Sequence, residues 1–158
     1  MNLDSITSLV KRLQHVRSSW AIVGGSNLFI RGICDQAADV DIVTSESGLI
    51  EIKEALTTFN SDVCSLERTQ CGNVSSIFFT AEVDNCTVEV MGAPHNYIDG
   101  KWVKNMHWQT SIELFSIDSV DVPLTTLEYE LKINTGLGNF VRSKIIKRHI
   151  TKCYITKR

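Results

Sequence analysis

The stretch that decides the fold is Trp20-Ala21-Ile22-Val23-Gly24-Gly25-Ser26, followed after twelve residues by Asp39-Val40-Asp41-Ile42. A short apolar run stopped by two glycines predicts a buried strand. Ser26 to Ile30 is apolar enough for a short helix, which Gly32 ends. Beyond it, Ala38-Val40-Ile42 alternates with Asp39-Asp41-Val43, which predicts a strand carrying both acids on one face.

A strand that runs into Gly24-Gly25-Ser26 and a helix offers backbone N–H groups to an anion, typically phosphate. Glycine suits such a bend because a Cβ would block close approach of the backbone. Two carboxylates side by side repel unless a divalent cation lies between them or one is protonated. Hard oxygen donors of this kind suit Mg²⁺ (or Mn²⁺), which also binds phosphate oxygens. A phosphate cradle with a metal-binding pair is the minimal equipment for phosphoryl or nucleotidyl transfer. Two-metal chemistry usually asks for a third carboxylate. Glu89 fits, since in Thr87-Val88-Glu89-Val90-Met91 it shares a strand face with Thr87 and Met91. Glu82 and Asp84 are weaker choices because both lie near a turn.

Outward from this unit, Leu3, Ile6, Leu9, Val10, Leu13 and Val16 mark a helix over residues 3–17, with Asp4 or Ser5 as its cap. Ser45 or Ser47 starts another, running to about Asn60. The middle is β-rich: a strand over Val63 to Glu67, then Val74–Val83 and Cys86–Met91 joined by Asp84-Asn85 as a hairpin turn. Residues 95–105 read as a loop with a turn at Asp99-Gly100, and one or two strands follow within 108–120. Thr125 or Thr126 caps a helix through Leu127, Leu131 and Ile133; Gly136-Leu137-Gly138 breaks it, and Asn139 starts a last helix. The order predicts one mixed α/β (α+β) domain over 1–158, with a core at 1–120 and C-terminal helices at 121–158.

The 158 residues, 43% hydrophobic and 22% charged, support a core without metal staples or disulfides. Apolar runs are far too short for a membrane span, and Asp4 sits where a signal peptide needs base, so a cytoplasmic protein is expected. Five cysteines, none paired as C-x-x-C, suggest reduced thiols and no zinc site. Net charge is −2, but its distribution is uneven. Arg142, Lys144, Lys147, Arg148, Lys152, Lys157 and Arg158 have no acid among them, while residues before 142 carry a net −9. An acidic body with a basic tail suits cations in one place and phosphates in another; a solvated basic helix face is the plainer reading. Trp102, Trp108 and Tyr97 could stack on a ring or pack in the core. Gly24-Gly25-Ser26-Asn27-Leu28-Phe29 is not the dinucleotide fingerprint. Glycosyltransferases that use Asp-x-Asp are generally larger domains.

The pattern of Val23, Gly24-Gly25-Ser26, Asp39-Val40-Asp41 and Glu89 resembles the nucleotidyltransferase superfamily of DNA polymerase β. Compact size and the Leu127, Leu131, Lys132 and Arg142, Lys144 spacing look like its small prokaryotic branch of minimal, abortive-infection and antibiotic-modifying enzymes. Ile145 replaces the Asp that often follows Arg-x-Lys there. The resemblance implies a mixed sheet of about five strands flanked by helices. It implies NTP as substrate with Mg²⁺, and NMP transfer to an acceptor hydroxyl on a partner protein (as in toxin–antitoxin pairs), a tRNA or a small molecule. Asp39, Asp41 and Glu89 would be the metal ligands and catalytic acids. Gly24, Gly25 and Ser26 would cradle phosphates, and Lys132, Arg142 or Lys144 would neutralise pyrophosphate. A homodimer or partner subunit could complete the site. The alternative is a catalytically silent nucleotidyltransferase-like binding or antitoxin module.

Overall fold

The computed structural model describes residues 2–58, 62–63 and 66–156. The expected helix end near Asn60, the middle of the strand expected over 63–67, and Lys157 and Arg158 lie outside them. The elements are α1 (Leu3–Arg12), β1 (Trp20–Val23), α2 (Gly24–Ile30), β2 (Val40–Thr44), α3 (Glu46–Thr58), β3 (Asp62–Val63), β4 (Glu67–Cys71), β5 (Val74–Val83), β6 (Cys86–Ile98), β7 (Lys101–Lys104), β8 (Ile112–Ile117), β9 (Val120–Thr125), α4 (Leu127–Gly136) and α5 (Phe140–Thr156).

One mixed sheet carries all the described strands, in the order β3-β5-β6-β2-β1-β9-β8, with β4 on β5 and β7 on β6. Parallel pairs β2–β6 and β1–β9 sit among antiparallel neighbours. The sheet therefore has nine strands where about five were expected. The additions are peripheral: β3 and β4 line up along β5, β7 is the return arm of a hairpin, and β8 is an edge.

Alternation on the central strands sorts side chains to two faces. Ile22, Val40, Ile42, Val88 and Val90 join Ile6 and Leu9 of α1 and Leu49, Ile52 and Leu56 of α3 in one core. The opposite parity sends Ala21 and Val43 to a smaller cluster with Tyr129 of α4 and Trp108. Trp108 is thus core, not a stacking platform. Asp41 and Glu89 have the parity of this second face. Close packing fixes two glycines here: a Cβ on Gly92 would meet Leu49 at 2.6 Å, and one on Gly48 would meet Thr44 Oγ1.

Asn2 caps α1 by accepting from Ser5 N–H at 2.8 Å, so the cap lies before Asp4 and Ser5. That helix ends at Arg12, short of the expected residue 17. Thr126 caps α4 as expected. Asp84-Asn85 (φ 51° and 60°) and Asp99-Gly100 (φ 48° and 78°) make the two expected tight turns. The segment 95–105, expected as a loop, is instead the arms of the β6–β7 hairpin. None of the described helices is long and apolar enough to cross a membrane.

Candidate active site

Asp41 and Glu89 are register partners on the parallel strands β2 and β6, so their side chains leave the sheet side by side. Asp39 stands two residues before Asp41, just ahead of β2. The electrostatics record their proximity. Burial, then the carboxylates of Asp39, Glu89 and Glu130, push Asp41 up to about 7, while Arg142 pulls it down. Burial and then Asp39 raise Glu89. Among the described residues, no three His, Cys, Asp or Glu side chains stand within ligating reach of a common point. The three acids meet at Coulomb range.

The glycine bend lies against this group. Gly24 has φ +67°, and a Cβ on it would stand 2.7 Å from Asp41 Oδ2. Both facts require glycine. The Gly24 N–H donates to Glu130 Oε1 at 3.0 Å. Gly25 has room for a Cβ, its nearest neighbour being Arg142 Nη2 at 3.7 Å. Ser26 is fully buried: its hydroxyl donates to Val23 O at 2.9 Å and accepts from Asp41 N–H at 3.1 Å. Ser26 therefore ties α2 to β1 and β2 and fixes the backbone of Asp41.

Glu130 escaped the sequence reading. It is 2% exposed, and its Oε1 accepts from Gly24 N–H, from Asn27 Nδ2 at 3.1 Å and from the Thr125 hydroxyl at 2.5 Å. Burial raises its pKa, opposed by those hydrogen bonds and by Arg142. A buried acid needs such donors. Asn27, equally buried, also donates to Thr125 O at 2.8 Å and accepts from Arg31 Nε at 2.7 Å. Arg31, at the end of α2, donates to Asn27 and to Thr125 O and forms an ion pair with Glu113 at 2.6 Å.

The three basic residues expected near phosphate separate here. Arg142 of α5 reaches back to Gly25, Asp41 and Glu130. Lys132 is exposed on α4, and Lys144 lies on the outer side of α5 with Lys147 and Arg148. Asp84, one of the weaker acids, is bound elsewhere, to Arg12 at 2.6 Å and Ser8 at 2.7 Å.

Beside Asp41 opens a cavity of about 330 Å³. Its floor is the sheet, with Val43, Phe78 and Met91, and its roof is α4, with Tyr129, Ile133 and Leu137. A bulge between the Ser75–His95 and Ile77–Gly92 pairs, with Ala93 at φ +46°, shifts the phase of β6. Odd-numbered Met91 before it and even-numbered Pro94 and Asn96 after it therefore face the same space.

No protein-family model matches the chain, and no curated protein matches it in sequence. Solved structures do match. A Thermotoga maritima protein assigned as a nucleotidyltransferase superposes with TM-score 0.78 at 20% identity, covering 95% of this chain and 92% of its own. The antibiotic-resistance factor ANT(2'')-Ia gives TM-score 0.63 at 13% identity, over 94% of this chain and 83% of its own. The lincomycin-bound lincosamide antibiotic adenylyltransferase LnuA gives 0.61 at 11%, over 93% and 97%. The fold is that of the nucleotidyltransferases.

Proposed function

We propose that this protein is a metal-dependent nucleotidyltransferase that moves NMP from an NTP to a hydroxyl acceptor. The observation that carries this reading is Asp41 and Glu89 side by side on one sheet face, with Asp39 at Coulomb range just ahead of β2 and Arg142 and the Gly24 bend against Asp41. Like charges so placed fit a divalent cation: burial first, then Asp39, Glu89 and Glu130, push Asp41 up to about 7 against the pull of Arg142. Hard carboxylate oxygens suit Mg²⁺ or Mn²⁺, and binding would draw these acids from Coulomb range to ligating distance. Asp39 and Asp41 would hold the nucleotide-bound ion, with Glu89 completing the set. The ion would supply charge neutralisation and polarisation at the α-phosphate.

The chain's own groups divide the remaining work. Glu89 takes the proton of the acceptor hydroxyl. The acceptor oxygen bonds to the α-phosphorus as the bond from that phosphorus to the pyrophosphate oxygen breaks. Arg142 and the backbone at Gly25 receive the pyrophosphate charge, while Ser26, expected in the cradle, is fully buried and acts through Asp41 instead. Glu130 fixes the Gly24 peptide, and Ser26 fixes Asp41, so the bend and the acids stay in register. Lys132 and Lys144 take no part in this arrangement, being exposed and outside the cavity.

A small-molecule acceptor is the class favoured by two similar folds, LnuA bound to lincomycin and ANT(2'')-Ia in complex with adenylyl-2''-tobramycin. A second copy or partner subunit would cover Phe140 and Val141, which stand 71% and 76% exposed beside Arg142. An active strict monomer in native mass spectrometry counts against that part. The test of the reading is incubation with α-labelled NTPs, Mg²⁺ and cell lysate. Label on an acceptor that is absent with Asp41→Asn supports it. No label from any NTP refutes it, and partner binding kept in the same variant would then mark a silent module.

A further inference from the structure

We infer that the cavity beneath α4 is the acceptor pocket, and that it takes a small, uncharged or weakly charged molecule presenting a hydroxyl beside an apolar face, in preference to a polycation. This rests on the transfer reading above and adds the acceptor's chemistry to it.

Position is the first argument. In-line transfer puts the attacking and leaving oxygens on opposite sides of phosphorus. Arg142 and the Gly24–Gly25 bend lie at the β1 side of Asp41, and Glu89 lies on its other side, on β6. The cavity floor is built by the strands on the Glu89 side, β6 and β5, through Met91, Phe78 and Val74. Gly24 and Arg142 line the cavity at its β1 side, and Glu89 stands two residues before Met91 on β6, at the edge of the floor. A molecule that extends along β6 past Met91 meets Glu89 with its hydroxyl while pyrophosphate leaves toward Arg142.

The lining is the second argument. Floor and roof are apolar, and the volume of about 330 Å³ is within the range of small-molecule sites. Away from Asp41, Glu130 and Arg142, the polar groups are neutral. Ser76 is 4% exposed, and no described residue hydrogen-bonds to its hydroxyl. Asn134, also 4% exposed, donates through Nδ2 to Glu130 O at 2.8 Å, which leaves its Oδ1 to the cavity. Tyr129 accepts from Asn105 Nδ2 at 3.2 Å and keeps its own proton to give. No side-chain N or O atom among the described residues is both fully buried and without a partner, so this spare hydrogen-bonding capacity is open to the cavity, where a ligand can meet it.

Charge is the third argument. The cavity's charged residues are Asp41, Glu130 and Arg142. Glu130 is committed to three donors, and Asp41 belongs to the metal set. An acceptor with several ammonium groups would bury them over Val43, Met91 and Phe78 with no carboxylate to spare, which is unfavourable.

The experiment uses lincomycin, a hydroxylated molecule with one basic amine, and tobramycin, a polycation. Label transfer from α-labelled ATP with Mg²⁺ is measured to each, alongside calorimetric MgATP binding. The expected result is a kcat/KM at least ~10-fold higher for lincomycin, a difference within reach of pocket discrimination. Ile133→Trp, which fills the cavity from its roof, should raise the lincomycin KM about 10-fold or more with the MgATP Kd unchanged within about twofold. Should that variant not fold, Ser76→Ala keeps the test alive, with an expected rise in acceptor KM of about threefold. Preference for tobramycin, label on neither probe, an unchanged acceptor KM, or weakened MgATP binding as the main effect would each overturn the pocket assignment. Wild-type protein that fails to bind MgATP at all would overturn the transfer reading itself.

Discussion

Gly24 and Asp41 touch so closely that a Cβ on Gly24 would stand 2.7 Å from Asp41 Oδ2, at a backbone φ of +67°. Gly24→Ala therefore meets both strain and collision. The left-handed backbone alone costs about 1–3 kcal/mol. The clash displaces the carboxylate as well, so transfer activity should fall more than tenfold alongside a lower urea midpoint. Gly25→Ala is the control: its Cβ has room, with Arg142 Nη2 at 3.7 Å, so the midpoint should hold or rise. If phosphate approaches Gly25, activity drops without loss of stability.

Glu130 should be indispensable as an acceptor. Glu130→Ala strands Gly24 N–H and the Thr125 hydroxyl in a buried place, while Asn27 Nδ2 keeps Thr125 as acceptor, with an expected loss of about 2–4 kcal/mol in denaturant unfolding. Glu130→Gln keeps an oxygen for those donors and should recover most of that loss. Equal damage from both would mean that the charge, not the acceptor, matters.

Without metal, stability should fall as pH rises toward 7. Asp41 in the folded chain titrates at about 7 against 3.8 for the free side chain. The folded state therefore binds a proton that the unfolded state has released across this window. Its contribution is complete below pH 3.8 and is lost as pH rises through about 7. Glu89, also raised, adds in the same direction. Urea midpoints in EDTA at pH 5 to 8 should decline, and Asp41→Asn should flatten the decline. Added Mg²⁺ should restore stability most at the high-pH end, since the ion binds the deprotonated acids. A flat wild-type profile would contradict this.

Among the basic residues, Arg142→Gln should weaken NTP binding by about 10-fold, near 1.4 kcal/mol. Lys132→Gln and Lys144→Gln should change it by less than about twofold, because both are exposed and neither lines the cavity. Calorimetric titration of the three variants decides whether the phosphate charge is met from Arg142 alone.

Much of the site was legible because strand alternation is a local signal. Val23-Gly24-Gly25, Asp39-Val40-Asp41 and Glu89 each declare a face, and the sheet pairs Asp41 with Glu89 directly. What the sequence hid depends on contacts between distant segments. Glu130 looks like one more helix acid beside Glu128; its burial comes from packing against Gly24, more than a hundred residues earlier. The partners of Arg31, Glu113 and Thr125, lie more than eighty residues away and leave no local trace. The hairpin arm β7 shows no apolar alternation because all four of its residues are exposed, so it reads as loop. Pro123 masked β9, yet that strand pairs with β8 through Leu114 and with β1 through Leu124. The Ala93 bulge, which turns Asn96 into the cavity, leaves only a short Gly-Ala-Pro trace in the chain.

The most direct test of the converging carboxylates is calorimetric ATP binding with Mg²⁺ and with EDTA, in wild type and Asp41→Asn. The account predicts binding that requires Mg²⁺ and weakens at least ~10-fold in Asp41→Asn. ATP binding of equal strength in EDTA, or undiminished in the variant, would contradict it.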